Sequence, residues 1–472
     1  MVDLVIRNGR VVTENGVIYG GMAIEGEHIA HVGSDSSLPN GKREIDVEGN
    51  FVIPGLIDPH VHMGIAFIPE IPLEERLRAQ YPVETEGALH GGVTTIGQFL
   101  TRALGSSQVS NLQTEIALGE ELSRVDFFCH AGVSDEGHLG EQAEMCRRGV
   151  TSFKHNFNAY KGREGKYTNT TGVDEGLLFR SFRFIAEYGY PAVAMTHCEE
   201  IDIIYVLMDG LIKAGRKDLA AWTEARPNWV ESMRIAHAIE IAKATGAPLY
   251  TVHISSAEGA ALVREARRQG YRVWGETCPA YLTLTGEMEE QIGCWGKVNP
   301  SLKYTQDNEH LWRAILDGGI TNMGTDHCGY TRKNKERGGS KHNNIWDSIP
   351  GLGGGMEHWL PVMMTYGVNA GRISIEDMVR VCSTNNAKVF GLYPRKGVLA
   401  PGADADVVIV DPAKEVVVNE DFYHCLCQFS TYEGWWFRGM ARMTILRGNI
   451  IMEEYQTVGK PGYGRFVPCR AY

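Results

Sequence analysis

The chain has 472 residues, 43% of them hydrophobic, and a formal net charge of −12. This length can bury a large core in two or three domains, or in one large barrel. The acidic balance without a basic patch excludes nucleic acid as an expected partner, and the apolar runs are too short to span a membrane. Ten scattered cysteines without a CxxC pair are typical of a reducing compartment, so we expect a cytoplasmic protein.

The two ends of the chain share one pattern of short alternating segments. Residues 1–50 contain LVIRNGRVV, GGMAIEGEHIAHVG and KREIDVEG, which Gly and Asn separate as in the hairpins of a small β-domain. The pattern returns in DADVVIVDP (404–412) and MTILRGNIIMEE (443–454). We therefore predict one β-sandwich domain built from residues 1–52 and 399–472.

Between these ends, short β-like runs alternate with helical stretches. The predicted strands are TTIGQF (94–99), RVDFFCHA (124–131), VTSFKHNF (150–157), AVAMTHC (192–198), PLYTVHIS (248–255), RVWGETC (272–278) and TNMGTDHC (321–328). The clearest predicted helices are residues 176–189, 229–246 and 257–270. This alternation favours parallel strands with crossover helices, closed into a TIM-like (β/α)8 barrel over residues 53–398.

A His-x-His pair ends the first apolar run of the predicted barrel, FVIPGLIDPHVH (51–62). Side chains at positions i and i+2 of a strand point to the same side, so His60 and His62 can bind one metal ion. Alone, the pair is weak evidence, since either histidine can serve as a polar end to a strand.

More metal-ligand residue types follow in chain order, each at the end of a short apolar or β-branched run: Lys154, His197, His253 and Asp326. With about 30–45 residues in each βα unit, this spacing places the set on strands 1, 4, 5, 6 and 8. The carboxyl ends of barrel strands carry the active site. The sequence therefore predicts one central site at this rim.

These six residues fit a centre with two metal ions. His60, His62 and Asp326 would hold one ion, and His197 and His253 would hold the other. An anion must bridge the two ions, and an ordinary Lys154 ammonium would repel them. Each residue also has a structural alternative: a core histidine bonded to the backbone, an Asx turn at Asp326, or a lysine in an ion pair.

Motifs along essentially the whole chain resemble the cyclic amidohydrolases of the amidohydrolase superfamily, with the hydantoinase and dihydropyrimidinase branch nearest. The matching stretches are GLIDPHVHMG (55–64), GGVTTIGQF (91–99), TSFKHNFNAYKG (151–162), THCEE (196–200), YTVHISSAEG (250–259), WGETCPAYL (274–282), GTDHCGY (324–330), the segment 383–412 and RGNII (447–451). The resemblance implies a homotetramer with two Zn²⁺ per subunit, bridged by N6-carboxylated Lys154.

The same resemblance implies the chemistry. Asp326 is expected to be both a metal ligand and the general base, and Tyr160 to donate a hydrogen bond to the oxyanion. A water that the metals convert to hydroxide would attack the carbonyl carbon of a cyclic amide. Asp326 would then return the proton to the leaving nitrogen and so open the ring.

Three departures from the family pattern concern the substrate. Five residues separate Lys154 from Tyr160, where hydantoinases have four. Asn299 stands where the family has a Ser that contacts the ring through its backbone, and Gly351 replaces the Asn of an Ile-Pro-Asn-Gly segment. Asn299 and Gly351 are therefore predicted to be backbone contacts to the substrate, and the apolar loop 65–72 suits a bulky or uncharged ring substituent.

Substituted hydantoins, other ureides and cyclic imides all remain open as substrates. Without a clear Arg pair to bind a carboxylated ring, dihydroorotase is less favoured. The alternatives are an allantoinase, or another ureide or acyclic amide hydrolase of the superfamily. A different class is a non-catalytic scaffold related to dihydropyrimidinase, as in the collapsin response mediator proteins, but those have lost ligands that this chain keeps.

Overall fold

The computed structural model describes residues 1–64, 71–101, 103–157, 172–337 and 339–471. The barrel strands are β6 (Leu56–His62), β7 (Val93–Phe99), β8 (Asp126–Gly132), β9 (Ser152–Phe157), β10 (Val193–Cys198), β11 (Leu249–Thr251), β12 (Val273–Thr277), β13 (Asn322–Met323) and β14 (His327–Cys328). They form one sheet in the order β13-β12-β11-β10-β9-β8-β7-β6-β14, and every pairing is parallel.

This strand order closes on itself. Its two ends, β13 and β14, are consecutive along the chain and are separated only by residues 324–326. Together they form one interrupted eighth strand, so eight strand positions enclose the barrel as a TIM-like fold requires. The predicted barrel is confirmed, and Asp326 lies in the interruption of its last strand.

Helices cover the outside of the barrel. The α-helices are Leu73–His90, Gln108–Leu122, Glu136–Arg147, Glu175–Tyr188, Ile201–Lys213, Leu219–Glu224, Asn228–Thr245, Ala257–Arg268, Pro279–Thr283, Glu289–Ile292, Thr305–Asp317, Arg332–Glu336, Gly355–Val362, Ile375–Val379 and Asn385–Val389. Short 3-10 turns occupy Asp35–Ser37, Gly293–Gly296 and Glu420–Phe422, and π-helical turns occupy Met363–Val368 and Arg380–Thr384.

The three helices predicted from their periodicity each have a residue at one end that stabilises the helix terminus. Asp174 and Ser256 cap two of them by accepting hydrogen bonds from the N–H groups of Leu177 and Gly259. The helix Asn228–Thr245 ends at Gly246, whose φ of 76° is the left-handed conformation that glycine adopts without steric cost.

The chain ends build a second, mixed sheet. Its strands are β1 (Val2–Thr13), β2 (Gly16–Glu25), β3 (His28–Gly33), β4 (Gly41–Asp46), β5 (Phe51–Pro54), β15 (Val407–Val417), β16 (Trp436–Leu446), β17 (Asn449–Glu453) and β18 (Gln456–Thr457). The N-terminal part joins the C-terminal part through antiparallel pairing of β5 with β15.

This sheet curls around its own core. Met22 of β2 and Ile445 of β16 belong to one buried cluster, although their strands are not neighbours in the sheet. That arrangement confirms the predicted pairing of the two chain ends. The hairpin interpretation was wrong for β4, which pairs parallel to β1, because the turn at residues 34–40 returns the chain to the start of β1. None of the helices in the described ranges combines the length and the apolar composition that a membrane span needs.

Candidate metal centre

Three side chains from opposite ends of the barrel sequence meet at its carboxyl rim. Nε2 of His60 lies 3.1 Å from Oδ1 of Asp326, and Nε2 of His62 lies 3.2 Å from the same oxygen. His60 and His62 end β6, and the hydrogen-bonded pairing of β6 with β14 brings Asp326 beside them. Two imidazoles and a carboxylate, all with ligand atoms within 4.8 Å of one another, form a candidate cation site.

Glu276 determines which nitrogen of His60 faces this site. Its Oε1 lies 2.7 Å from Nδ1 of His60, so Nδ1 carries the hydrogen and the Nε2 lone pair points toward Asp326. Burial lowers the pKa of His60, but the carboxylates of Glu276 and Asp326 outweigh it and raise that pKa. A lone pair aimed at a carboxylate requires a positive species between them, either a proton or a metal ion.

His197 in β10 and His253, two residues after the end of the neighbouring β11, form a second pair. Nδ1 of His197 lies 2.8 Å from Nε2 of His253, and both residues are buried. Nε2 of His197 lies 2.9 Å from Oε2 of Glu199, which fixes the hydrogen on Nε2 and leaves Nδ1 as the ligand atom. Burial, then His197 and then Lys154, lower the pKa of His253 well below its usual value, so its imidazole is neutral and able to bind a metal.

Lys154 stands between these two histidine pairs in the strand order. It lies on β9, is only 2% exposed, and its Nζ is 4.8 Å from the centre of the Phe99 ring. The same ring contacts His60 and His62 at 4.7 and 4.8 Å between centroids. An ammonium buried among imidazoles opposes the binding of a cation there, so this environment favours any modification that removes the positive charge.

The donor set fits a bound metal. Nε2 of His60 is buried and, although it lies 3.1 Å from Oδ1 of Asp326, has no hydrogen-bond partner among the described residues. Such an orphaned ring nitrogen is costly unless something binds it. Imidazole nitrogens combined with a carboxylate suit zinc and related transition metals.

The backbone around the ligands is unusual. His253 and Asp326 have positive φ values of 39° and 51°, a conformation that costs energy for residues other than glycine and collects at functional sites. Asp58 holds this arrangement by accepting hydrogen bonds from the N–H groups of His60 and Thr325 and from the Thr325 hydroxyl. Asp58 thereby ties the first barrel strand to the segment that carries Asp326.

The three supporting carboxylates, Asp58, Glu199 and Glu276, were not predicted from the sequence. A signal was present, since each interrupts or follows an apolar strand run in the motifs GLIDPHVH, THCEE and WGETC. A charged residue within or beside an apolar strand run is expected to be buried, and a buried charge indicates an ionic or hydrogen-bonding partner inside the protein. The partner could not be identified from one sequence, because it comes from another strand.

The structure places two of the three predicted substrate contacts. Asn299 is buried and precedes Pro300. Gly351 has a φ of 122°, and a Cβ there would lie 2.6 Å from the Tyr330 ring. Tyr160 and residues 65–70, which include most of the apolar loop, lie outside the described residues.

Three other histidines of the barrel have structural partners. Nε2 of His130 lies 2.9 Å from the carbonyl oxygen of Pro59, and Nδ1 of His155 lies 3.2 Å from that of Met195. His327, next to Asp326, is held by Glu84 at 2.8 Å.

Comparisons with known proteins find relatives of this chain that match it over its full length. The model of the amidohydrolase family matches residues 51–451. The chain is 32% identical over 473 residues to the L-hydantoinase of Paenarthrobacter aurescens, covering 100% of this chain and 99% of that protein. It is 31% identical over 473 residues to the D-hydantoinase of Geobacillus stearothermophilus, covering 99% and 96%. The solved L-hydantoinase (dihydropyrimidinase) from Arthrobacter aurescens superposes with a TM-score of 0.90 at 30% identity, covering 99% of this chain and 100% of that one.

Proposed function

The chain belongs to the amidohydrolase family, and we propose that it uses two metal ions to open the ring of a cyclic amide, ureide or imide. Its enzyme class, a hydrolase of C–N bonds in cyclic amides, follows from the full-length similarity to hydantoinases. The observation that supports the metal proposal best is the convergence of the Nε2 atoms of His60 and His62 on one oxygen of Asp326.

The resident metal is proposed to be zinc, two ions per subunit. His60, His62 and Asp326 would hold one ion and His197 and His253 the other, with Lys154 as an N6-carboxylated bridge. The burial of Lys154 near the imidazoles of His60, His197 and His253 supports the carbamate, because carboxylation converts a repelling ammonium into an anionic ligand. When bound, the metals polarise the substrate carbonyl and lower the pKa of a water in the site.

The side chains of the protein then direct the reaction. Asp326 accepts the proton of the attacking water and later donates it to the leaving ring nitrogen. His60 and His62 hold their Nε2 atoms against the Asp326 carboxylate, which orients it for this transfer. Tyr160 is proposed to donate a hydrogen bond to the oxyanion, with Asn299 and Gly351 as backbone contacts to the ring.

We also propose how the subunits assemble and how the chain is divided. The division is a β-domain of residues 1–52 and 399–472 around a barrel of residues 53–398.

A homotetramer is supported by an exposed apolar pair on the β-sheet of the chain ends, because Trp436 and its cross-strand neighbour Val417 are 45% and 55% exposed. Trp435 packs within the protein against Tyr366 and Tyr432. Cytoplasmic location is proposed from the reduced character of the cysteine set.

A ring-opening assay on zinc-loaded protein tests the proposal. Proton release would be followed in bicarbonate with hydantoins, dihydrouracil, allantoin, dihydroorotate, cyclic imides and open-chain amides. Turnover of one ring class, abolished by Lys154→Ala, is expected. A preference for open-chain amides would favour the acyclic alternative, and zinc-free protein without turnover would favour the scaffold.

A further inference from the structure

Lys335 is fully buried, and its ammonium hydrogen bonds only to backbone carbonyls among the described residues. Nζ donates to the carbonyl oxygens of Lys297 at 2.8 Å, Ile349 at 2.7 Å and Gly351 at 2.8 Å. An ammonium has three N–H groups, so each of them is used.

In the described part of the chain, no carboxylate acts on the charge of this lysine. Burial lowers its pKa to about 7, which shows how costly a charged amine is at this place. An apolar side chain of similar length would fill the same space without that cost. Lysine therefore differs from such an apolar residue at this position in one respect: it forms three hydrogen bonds, which fix the backbone geometry.

The three carbonyls belong to two separate segments, 297–303 and 345–352, which also bind each other. The N–H of Gly351 donates to the carbonyl of Lys297 at 3.0 Å. In the opposite direction, Nζ of Lys297 donates to the carbonyls of Ile345 at 2.7 Å and Ser348 at 2.6 Å. Lys335 and Lys297 thus join the segments through hydrogen bonds to backbone carbonyls.

The second segment is also attached to the strand that follows Asp326. The N–H of Cys328 donates to the carbonyl of Leu352 at 3.0 Å, and a Cβ on Gly351 would lie only 3.0 Å from Sγ of Cys328. The backbone at Gly351 is therefore fixed between Lys335 on one side and β14 on the other. Its N–H and one carbonyl lone pair are already engaged, which leaves the second lone pair as an acceptor.

We propose that Lys335 is a positioning residue that fixes the backbone of the segments carrying Asn299 and Gly351, and so sets the affinity for the substrate ring. This inference rests on the proposed function, in which these two residues contact the ring. In this arrangement, the second lone pair of the Gly351 carbonyl accepts a hydrogen bond from an N–H of the substrate ring. The expected consequence is an effect on KM rather than on kcat, because the metal ligands themselves are not touched.

Lys335→Met tests this role, with Lys333→Met as the matched control on the same helix, where Lys333 is exposed. We expect Lys335→Met to raise KM for the ring substrate at least about tenfold, since the hydrogen bonds of Nζ to three backbone carbonyls are lost. Its kcat and zinc content are expected to stay near those of the wild type. Lys335→Gln, which keeps two donors on a shorter side chain, should give an intermediate KM.

Backbone hydrogen exchange gives a readout that needs no substrate. In Lys335→Met, exchange should become faster in segments 297–303 and 345–352 and stay unchanged elsewhere. Unchanged KM and exchange would overturn the proposal, as would a loss of kcat and zinc together with KM. If Lys335→Met does not fold, Lys335→Gln is judged by the same criteria. Absence of wild-type turnover on every ring would instead refute the proposed function, and the exchange data would still decide the role of Lys335.

Discussion

Oε1 of Glu276 lies 2.7 Å from Nδ1 of His60, and this oxygen also accepts the backbone N–H of His253 at 2.9 Å. His60 and His253 are proposed ligands of different metal ions. One carboxylate from β12, a strand without a proposed ligand, therefore orients both halves of the centre. The hydroxyl of Tyr250 donates to its other oxygen at 2.9 Å and holds the carboxylate in place.

Glu276→Gln should weaken metal binding about 10- to 100-fold, the usual effect of losing a partner of a metal-bound histidine. The amide has no negative charge, and only one of its two polar atoms can accept hydrogen bonds. Competition with a chelator would measure the zinc affinity. Glu265→Gln, at an exposed position, is the control. Equal zinc affinity in the two variants would contradict this role.

Asp326→Asn should reduce the ring-opening rate at least about 100-fold, because general acid–base groups contribute factors of this size. Burial raises the pKa of Asp326, but His60 and His62 outweigh it and keep the pKa well below its usual value. The carboxylate is thus an anion suited to bind a metal, and the amide is not. Steady-state rates with zinc content measured in parallel would test this. Asp317→Asn, at an exposed site, should keep full activity.

A buried charge network joins the β-domain to the barrel. Nζ of Lys396 lies 2.8 Å from Oδ2 of Asp126, 2.6 Å from that of Asp406 and 3.1 Å from that of Asp404. Arg447 also pairs with Asp126, and both are buried. Lys396→Met should lower the free energy of unfolding by about 3–5 kcal/mol, because it leaves buried carboxylates without their cation.

Lys388→Met is the matched control for this network, since Lys388 pairs with Glu14 at 2.6 Å on the surface with 47% of its side chain exposed. Exposed ion pairs contribute about 0–1 kcal/mol. Denaturant titrations of both variants would measure the difference. Similar midpoints for the two variants would show that the buried network adds no more stability than a surface pair.

Glu115 should make stability depend on pH. Burial raises its pKa to about 7, although hydrogen bonds from Tyr81 and Gln98 oppose the rise. At pH values between the pKa of Glu115 in the unfolded chain and about 7, Glu115 is protonated in the folded protein but not in the unfolded chain. The free energy of unfolding therefore falls as pH rises through this window and levels off above it.

Glu115→Gln removes this titration. Its stability relative to the wild type should improve by up to about 2–3 kcal/mol between pH 5 and pH 8. Unfolding titrations at several pH values would measure the change, with exposed Glu121→Gln as the control. A constant difference across the pH range would contradict the raised pKa.

Periodicity and motif order were sufficient to predict the barrel, the pairing of the chain ends and the rim position of the candidate ligands. The predicted run 150–157 became β9, and 192–198 became β10, each within two residues. These features are local, because a strand is defined by its own apolar run and its polar last residue. The spacing rule then assigned strands 1, 4, 5, 6 and 8, which are the positions of the candidate ligands in the structure.

Contacts between distant segments could not be predicted in this way. Glu276 and His60 are 216 positions apart, and Lys335 reaches carbonyls 14, 16 and 38 positions away. No local pattern marks a lysine that will bind carbonyls instead of a carboxylate. The parallel pairing of β4 with β1 was not predicted for the same reason. The partner of β4 depends on the strands that surround it in the sheet and not on the residues of β4 itself.

Metal reconstitution is the sharpest test of the proposed catalysis by two metal ions bridged at Lys154. Metal-stripped protein would be titrated with zinc in bicarbonate, and the ring-opening rate compared with the number of ions bound per chain. We predict that activity rises with zinc to a maximum at two ions, and that Lys154→Ala binds fewer ions and stays inactive. Full activity in metal-free protein, or two ions and full activity in Lys154→Ala, would rule out this mechanism.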